Sequence, residues 1–290
     1  MSNVLMKKWT DQLNKNKVSF IIPTVQHRVY FLEKLLEVLR ERVPLLLEIG
    51  VEYEIIIVFD GFLPPVNILN KYQSLNIITV CFPEQTGTVS IPRNIGISYA
   101  TGSIIAPTDD DVHPTYNKMY MIKSLIESRK TKTLGMHGNE IGLIYGSRCE
   151  RFLEKDQNLN SYNFSNTINI NRDFYVNINN WTVNKKNLGI DNGQFVYTAD
   201  IYNKVNINFP VNACDWELYS LIADHYDFDC FNNKQDVCIY YWHDKNISRT
   251  PKEYRINPMS ILHKYVDYFA PNEWRETISL MVNFLNWNKK

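Results

Sequence analysis

The sequence predicts an α/β protein with a mainly parallel sheet flanked by helices on both faces. Three observations carry this expectation. Short apolar runs bounded by Pro, Gly or acidic residues recur through the first third of the chain. Helical periodicity fills the spaces between them. The runs are apolar at nearly every position rather than alternating, as in strands buried on both faces. Val18-Ser-Phe-Ile-Ile-Pro23 is the first such strand. From Tyr30 to Leu47 the apolar residues Phe31, Leu35, Leu36 and Leu39 return at helical spacing with charges between them. Glu54 to Phe59 is a second buried strand ending at Asp60-Gly61, and Ile77 to Phe82 is a third. Pro92 to Thr101 reads as a helix stopped at Gly102. Ser103 to Pro107 is a fourth strand, followed at once by Asp109, Asp110 and Asp111.

The second half is less regular. A strand is expected at Gly142 to Gly146, then order at Gln194 to Ala199, a helix from Asp215 to Ala223, and a strand at Val237 to Trp242. Arg151 to Asn192 is dense in Asn and short of large aliphatics, which predicts a long loop or insertion. Between Glu273 and Trp287, residues Trp274, Ile278, Met281, Val282 and Leu285 fall on one helical face, suited to core or dimer packing.

Composition narrows the function. The 290 residues hold 31 Lys+Arg against 31 Asp+Glu. That balance argues against bulk nucleic-acid binding, which needs a basic footprint. No run approaches the ~20 apolar residues of a membrane span. Met1 to Lys17 is polar, unlike a secretory leader. Five cysteines, an odd number with no C-x-x-C pair, fit reduced thiols. The expected setting is cytoplasmic, with peripheral contact to the inner membrane face left open.

In such sheets ligands sit beyond the carboxyl ends of the strands. Pro23-Thr24, Asp60 and the aspartate run all fall there and are expected to share one crevice. In an extended chain Asp109 and Asp111 point to one side and Asp110 to the other. Carboxylates so close repel unless a cation intervenes, and hard divalent ions take oxygen ligands. A solvated turn is the competing reading.

Taken in order, Val18-Ser-Phe-Ile-Ile-Pro-Thr24, Ile57-Val-Phe-Asp60-Gly, Arg93-Asn-Ile-Gly-Ile-Ser-Tyr-Ala-Thr-Gly102 and Thr108-Asp-Asp-Asp111 resemble the GT-A glycosyltransferases, in particular the inverting family 2. The R-N-x-G-x-x-x-A-x-G pattern is complete, and the D-x-D motif follows it without a gap. The resemblance extends over Asn192 to His243, with Cys214-Asp-Trp-Glu-Leu218 similar to the family's E-D-x-D/E-L. It implies a GT-A (Rossmann-like) sheet with a nucleotide-sugar-binding half at 1–112, an acceptor-side half of the same domain at 113–250 and a helical tail at 251–290. It implies transfer of a sugar from a nucleotide-sugar donor to a carbohydrate or other hydroxyl acceptor, lipid-linked acceptors included.

The resemblance also implies roles. Pro23, Thr24 and Val25 would lie along the base, Asp60 would accept the uracil N–H, and Arg93 would sit beside the nucleotide. Asp109 and Asp111 would form the D-x-D pair for ribose and metal. Thr108 stands where the family has Leu, which leaves a register using Asp110 open. His243 would be a third metal ligand, suiting Mn²⁺ somewhat better than Mg²⁺. Asp215 would be the catalytic base.

Each residue has a plainer reading. Asp60 before Gly61 makes a turn, Arg93 ion-pairs on its own helix, Asp215 caps a helix, and His243 sits at a core edge. Two other functions compete: a nucleotidyltransferase, which would carry a Gly-rich loop where Gln26-His-Arg28 stands, and a binding protein that holds nucleotide sugar without turnover. A homo-oligomer through the C-terminal helix is a further expectation.

Overall fold

The structure, a computed structural model, describes residues 9–156, 161–170, 191–204, 218, 221–231, 235–243 and 267–268. In chain order the strands are β1 (Asn14–Val25), β2 (Glu52–Asp60), β3 (Ile77–Phe82), β4 (Gly102–Pro107), β5 (Val112–Pro114), β6 (Ile141–Tyr145), β7 (Ser147–Asp156), β8 (Ser161–Ile170), β9 (Phe195–Thr198), β10 (Asp227–Cys230) and β11 (Asp236–Trp242). The helices are α1 (Val29–Glu48), α2 (Val66–Lys71), α3 (Ser90–Ser98), α4 (Tyr116–Thr131) and α5 (Ile201–Lys204). Single 3-10 turns occupy Gln26–Arg28 and Asn192–Gln194.

Among the described residues the main sheet runs β10-β6-β9-β4-β1-β2-β3. Only β9 is antiparallel to its neighbours. Because β9 joins β4 to β6, both halves of the chain share one sheet. A smaller sheet, β5-β11-β7-β8, lies past the aspartate run.

The continuous apolar runs are explained by two cores, one per sheet face. Phe20, Ile22, Ile55, Ile57 and Phe59 face Leu32, Leu35, Leu36 and Leu39 of α1 and Met119 and Ile122 of α4. The intervening Ile21, Ile56 and Val58 face Ile91 and Ile95 of α3. Alternation along each strand thus feeds both layers. The Gly of Arg-Asn-Ile-Gly is a spacing residue: a Cβ on Gly96 would meet Ile21 Cγ2 at 2.7 Å and Val58 Cγ2 at 3.1 Å. Any side chain there would lift α3 off the sheet.

One expectation needs correction. The long loop at Arg151 to Asn192 is, in its first part, paired sheet: β7 and β8 form an antiparallel ladder from Glu150↔Ile170 to Asp156↔Ser161. Its Asn-rich sequence still supplies an alternating apolar set, with Leu153 buried and Phe164 packed against Phe31 and Tyr241. Residues 171–190 lie outside the described part. The structure also adds α4, a helix over a stretch for which no element was expected from sequence, although its apolar residues return at helical spacing. Lys118 sits in the middle of its buried face and breaks the apolar stripe formed by Met119, Ile122, Leu125 and Ile126.

Candidate active site

The carboxyl ends of β1, β2 and β4 come together by register. Pro23 and Val25 pair with Val58 and Asp60 of β2, while Ile21 pairs with Pro107, the last residue of β4. Pro23 lies beyond the end of the β4 ladder, so its missing N–H breaks no bond on that side. Thr108 N donates to Ile21 O at 3.0 Å and carries the chain across the end of β1.

The aspartate run then turns. Val112 N donates to Asp109 O at 3.0 Å, closing a turn through Asp110 and Asp111. This replaces the extended alternation expected from sequence. Asp109 stands apart: Arg93 Nη2 donates to its Oδ1 at 2.6 Å. Asp110 and Asp111 both pair with Arg28, whose Nη2 lies 2.7 Å from Asp111 Oδ2 and also contacts Asp110. Thr24 Oγ1 donates to Asp110 Oδ2 at 2.8 Å.

The late histidine arrives by strand geometry. Tyr241 N donates to Asp111 O at 3.1 Å, which fixes β11 beside the turn. Two residues on, His243 brings Nε2 to 3.1 Å from Asp111 Oδ2. Its ring stacks on Phe31, centroids 4.1 Å apart, and is fully buried. Between them Trp242 points away and donates Nε1–H to Glu150 Oε2 at 3.0 Å. Glu150 is buried and paired with Arg148, which also reaches Gln194 at 3.0 Å. Lys118, buried at the far side of that segment, donates to Gly193 O at 2.9 Å and Phe195 O at 2.7 Å. These contacts hold the 191–195 segment against the strands that carry His243 and the aspartates.

The electrostatics follow from burial and pairing. Burial alone would raise Asp111, but Arg28 and His243 outweigh it and hold the carboxyl below its usual range. Asp110 is raised to about 7, because burial and the charge of Asp111 prevail over Arg28 and Thr24. The Arg28 guanidinium is held charged by the aspartates despite its burial.

Among the described residues no three His, Cys, Asp or Glu side chains form a preformed metal cage. Asp111 and His243 nonetheless supply a carboxylate oxygen and an imidazole nitrogen side by side. Divalent ions that act on phosphates are commonly held by one or two protein ligands, the rest being phosphate and water. The pair fits such a half-site, with imidazole favouring Mn²⁺. Asp109, engaged by Arg93, and Asp110, engaged by Thr24 and Arg28, border it.

Asp60 is at the expected strand end and buried, but it is occupied. Thr86 N donates to its Oδ1 at 2.7 Å and Thr86 Oγ1 lies 2.9 Å from its Oδ2. It thereby holds the β3–α3 loop over the ends of β2 and β3. Gly61 is part of the same closure: its φ is +84°, and a Cβ there would meet the Gln85 backbone at 2.6 Å. Asp215, with Cys214, lies outside the described residues.

Sequence reasoning missed Arg28, Thr86 and the Glu150–Trp242 support. Arg28 had a signal: three adjacent acids require counter-charge, and it is the cation just past the end of β1. Thr86 and Glu150 had none, since both partnerships join residues distant along the chain.

The mainly parallel sheet order, with the aspartate turn at the carboxyl ends of β1 and β4, is that of a GT-A fold, like that of the family 2 glycosyltransferases. Residues 19–135, from within β1 to just past α4, match the family described as glycosyl transferase family 2. Among solved structures, residues 1–349 of S. aureus TarS in complex with UDP-GlcNAc are similar at 13% identity, with 92% of this chain and 71% of that one covered and a TM-score of 0.55. The same protein in complex with UDP is similar at 15% identity over 92% of this chain and 70% of that one, TM-score 0.50. No curated protein matches the chain.

Proposed function

We propose that the protein is a metal-dependent glycosyltransferase that moves a sugar from a UDP-linked donor to a hydroxyl acceptor with inversion. The observation that carries this reading is the meeting of Asp111, His243, Thr24 and Arg28 at the carboxyl ends of β1 and β4, where nucleotides bind on such sheets. The family 2 match over 19–135 and the likeness to a UDP-GlcNAc-bound structure support it.

In this scheme Pro23, Thr24 and Val25 lie along the base, and Asp60 receives the imide N–H of uracil with lone pairs not used by Thr86. UDP should then bind better than GDP, by ~1–3 kcal/mol for a hydrogen bond in a dry site. Asp60→Ala should narrow that gap in a competition assay. Arg93 orients Asp109 beside the ribose. Asp111 and His243 hold Mn²⁺ or Mg²⁺, which neutralises charge developing on the diphosphate leaving group. Asp215 takes the acceptor hydroxyl proton as that oxygen attacks the anomeric carbon from the face opposite the diphosphate. The acceptor would be a carbohydrate or another hydroxyl compound, met by the 113–250 half. Among the described residues no helix is long and apolar enough to cross a membrane.

The test is turnover of a panel of UDP-sugars with Mn²⁺, comparing the wild type with Asp215→Asn. That change keeps shape and removes basicity. Donor affinity should stay within a few-fold while kcat falls by roughly 10²–10⁴. NMR of the isolated product should show the anomer opposite to the donor's. Retained configuration, or wild-type turnover in the variant, would overturn the assignment of Asp215 and inversion together.

A further inference from the structure

Arg28 is the one buried guanidinium that touches both acids of the turn, and its position raises a question of competition. Its Nη2 lies 2.7 Å from Asp111 Oδ2, and that same oxygen is 3.1 Å from His243 Nε2. A divalent ion bridging this oxygen and this nitrogen would sit about 2.0–2.6 Å from each. It would then be close against the guanidinium, with the two cations sharing one carboxylate oxygen. Like charges this close repel strongly in a partly desolvated site.

We propose that Arg28 is an internal counter-cation that competes with the divalent metal for Asp111 and is drawn off it by the donor's diphosphate, so that metal and nucleotide bind as a coupled pair. The neighbouring contacts support a movable role. Arg28 closes a short 3-10 turn and stands at the N-cap of α1, so any movement belongs to its long side chain rather than to its backbone. Its guanidinium carbon lies 6.0 Å from the centroid of the Phe31 ring, an attraction that holds a cation without fixing the direction of its N–H groups. Asp110 keeps its Thr24 hydrogen bond whichever way Arg28 turns. A diphosphate offers several oxygens to the guanidinium fork, of which Nη2 is the atom in contact with both aspartates now. Without nucleotide, Arg28 holds the acids and the metal enters weakly. With nucleotide, the guanidinium transfers to phosphate and Asp111 is released to the metal. Linkage then requires that the metal tighten the nucleotide by the same factor.

This inference rests on the metal-dependent reading above, and one set of titrations separates the two. Mn²⁺ binding would be measured calorimetrically in wild type, Arg28→Gln and Arg28→Lys, each with and without saturating UDP. In the wild type UDP should tighten Mn²⁺. In Arg28→Gln, Mn²⁺ alone should bind roughly tenfold or more tightly than to wild type, and the added effect of UDP should shrink. Arg28→Lys keeps a cation near the acids but lacks the planar fork that can pass to phosphate oxygens, so it should fall between the two. It carries the same comparison if Arg28→Gln does not fold. Unchanged Mn²⁺ affinity in both variants, with wild type still binding Mn²⁺ in the presence of UDP, overturns the role of Arg28 and leaves the metal site standing. Absence of Mn²⁺ binding in every protein and condition overturns both.

Discussion

Asp60 shows how a single buried carboxylate is settled by its neighbours. The Thr86 hydroxyl has one proton but faces two acceptors, Asp60 Oδ2 at 2.9 Å and Thr88 O at 2.8 Å. A protonated Asp60 resolves the conflict by donating to Thr86 Oγ1, which then donates to Thr88. Burial, only partly offset by these Thr86 bonds, raises the carboxyl to about 6. An acid raised above its unfolded value of about 3.9 binds more protons folded than unfolded. Its contribution to stability is therefore full below about pH 4 and is lost as the pH rises through 6. Asp60→Asn can keep the Thr86 N–H bond and donate to Thr86 Oγ1 without ionising. It should be more stable than wild type at pH 8, by up to roughly 2–3 kcal/mol, and equal to it near pH 4, as denaturant titrations at the two values would show. The position of Asp60 at a strand end was legible from Phe-Asp-Gly. Its partner, 26 residues on, was not.

At the scale of elements, the opposite end of the sheet is held by another buried acid. Glu54 of β2 accepts from Ser19 Oγ at 2.6 Å, Thr101 N at 2.6 Å and Thr101 Oγ1 at 2.7 Å, with Lys17 Nζ 2.7 Å away. These bonds tie β1, β2 and the α3–β4 junction together. They outweigh burial and lower the carboxyl below its usual range. Its stabilising effect is thus fully present above the unfolded value of about 4.3 and is lost as the pH falls below it. Glu54→Gln cannot satisfy Lys17 and Thr101 Oγ1 together, and should cost about 2–3 kcal/mol at pH 7. The difference from wild type should shrink toward pH 3. Elements whose pattern met one physical demand were readable in advance: β1, β2, β3 and β4 by continuous apolar runs, α1 by period. Those meeting two were not. α4 carries Lys118 inside its core face to hold the 191–195 segment, and β7 and β8 pair through Asn-rich sequence that reads as loop.

For the whole molecule, the site is an assembly of distant pieces, with Thr24 and the aspartates at the ends of β1 and β4 in the main sheet and His243 just past β11 of the smaller one. Thr24, Asp111 and His243 come from three strand ends, and topology alone brings them together. That much followed from the ordered motifs, because parallel strands place their carboxyl ends side by side. The counter-charge followed in part: Arg93 stands in the Arg-Asn-Ile-Gly motif, whereas Arg28 lies outside every motif and only the three adjacent acids call for it. If nucleotide and metal bind here only in the folded state, UDP at a hundred times its Kd with Mn²⁺ should stabilise the protein by about 2.7 kcal/mol, a thermal shift easily seen. Mn²⁺ alone should give much less.

The central claim is that Asp111 couples the nucleotide to a divalent ion. Its most direct test is a calorimetric titration of UDP into wild type and Asp111→Asn, both with Mn²⁺ and both with the metal chelated. In wild type, chelation should cost most of the affinity. In Asp111→Asn the affinity should be low and the same with or without Mn²⁺. UDP binding in the variant at wild-type affinity, still strengthened by Mn²⁺, would contradict the account.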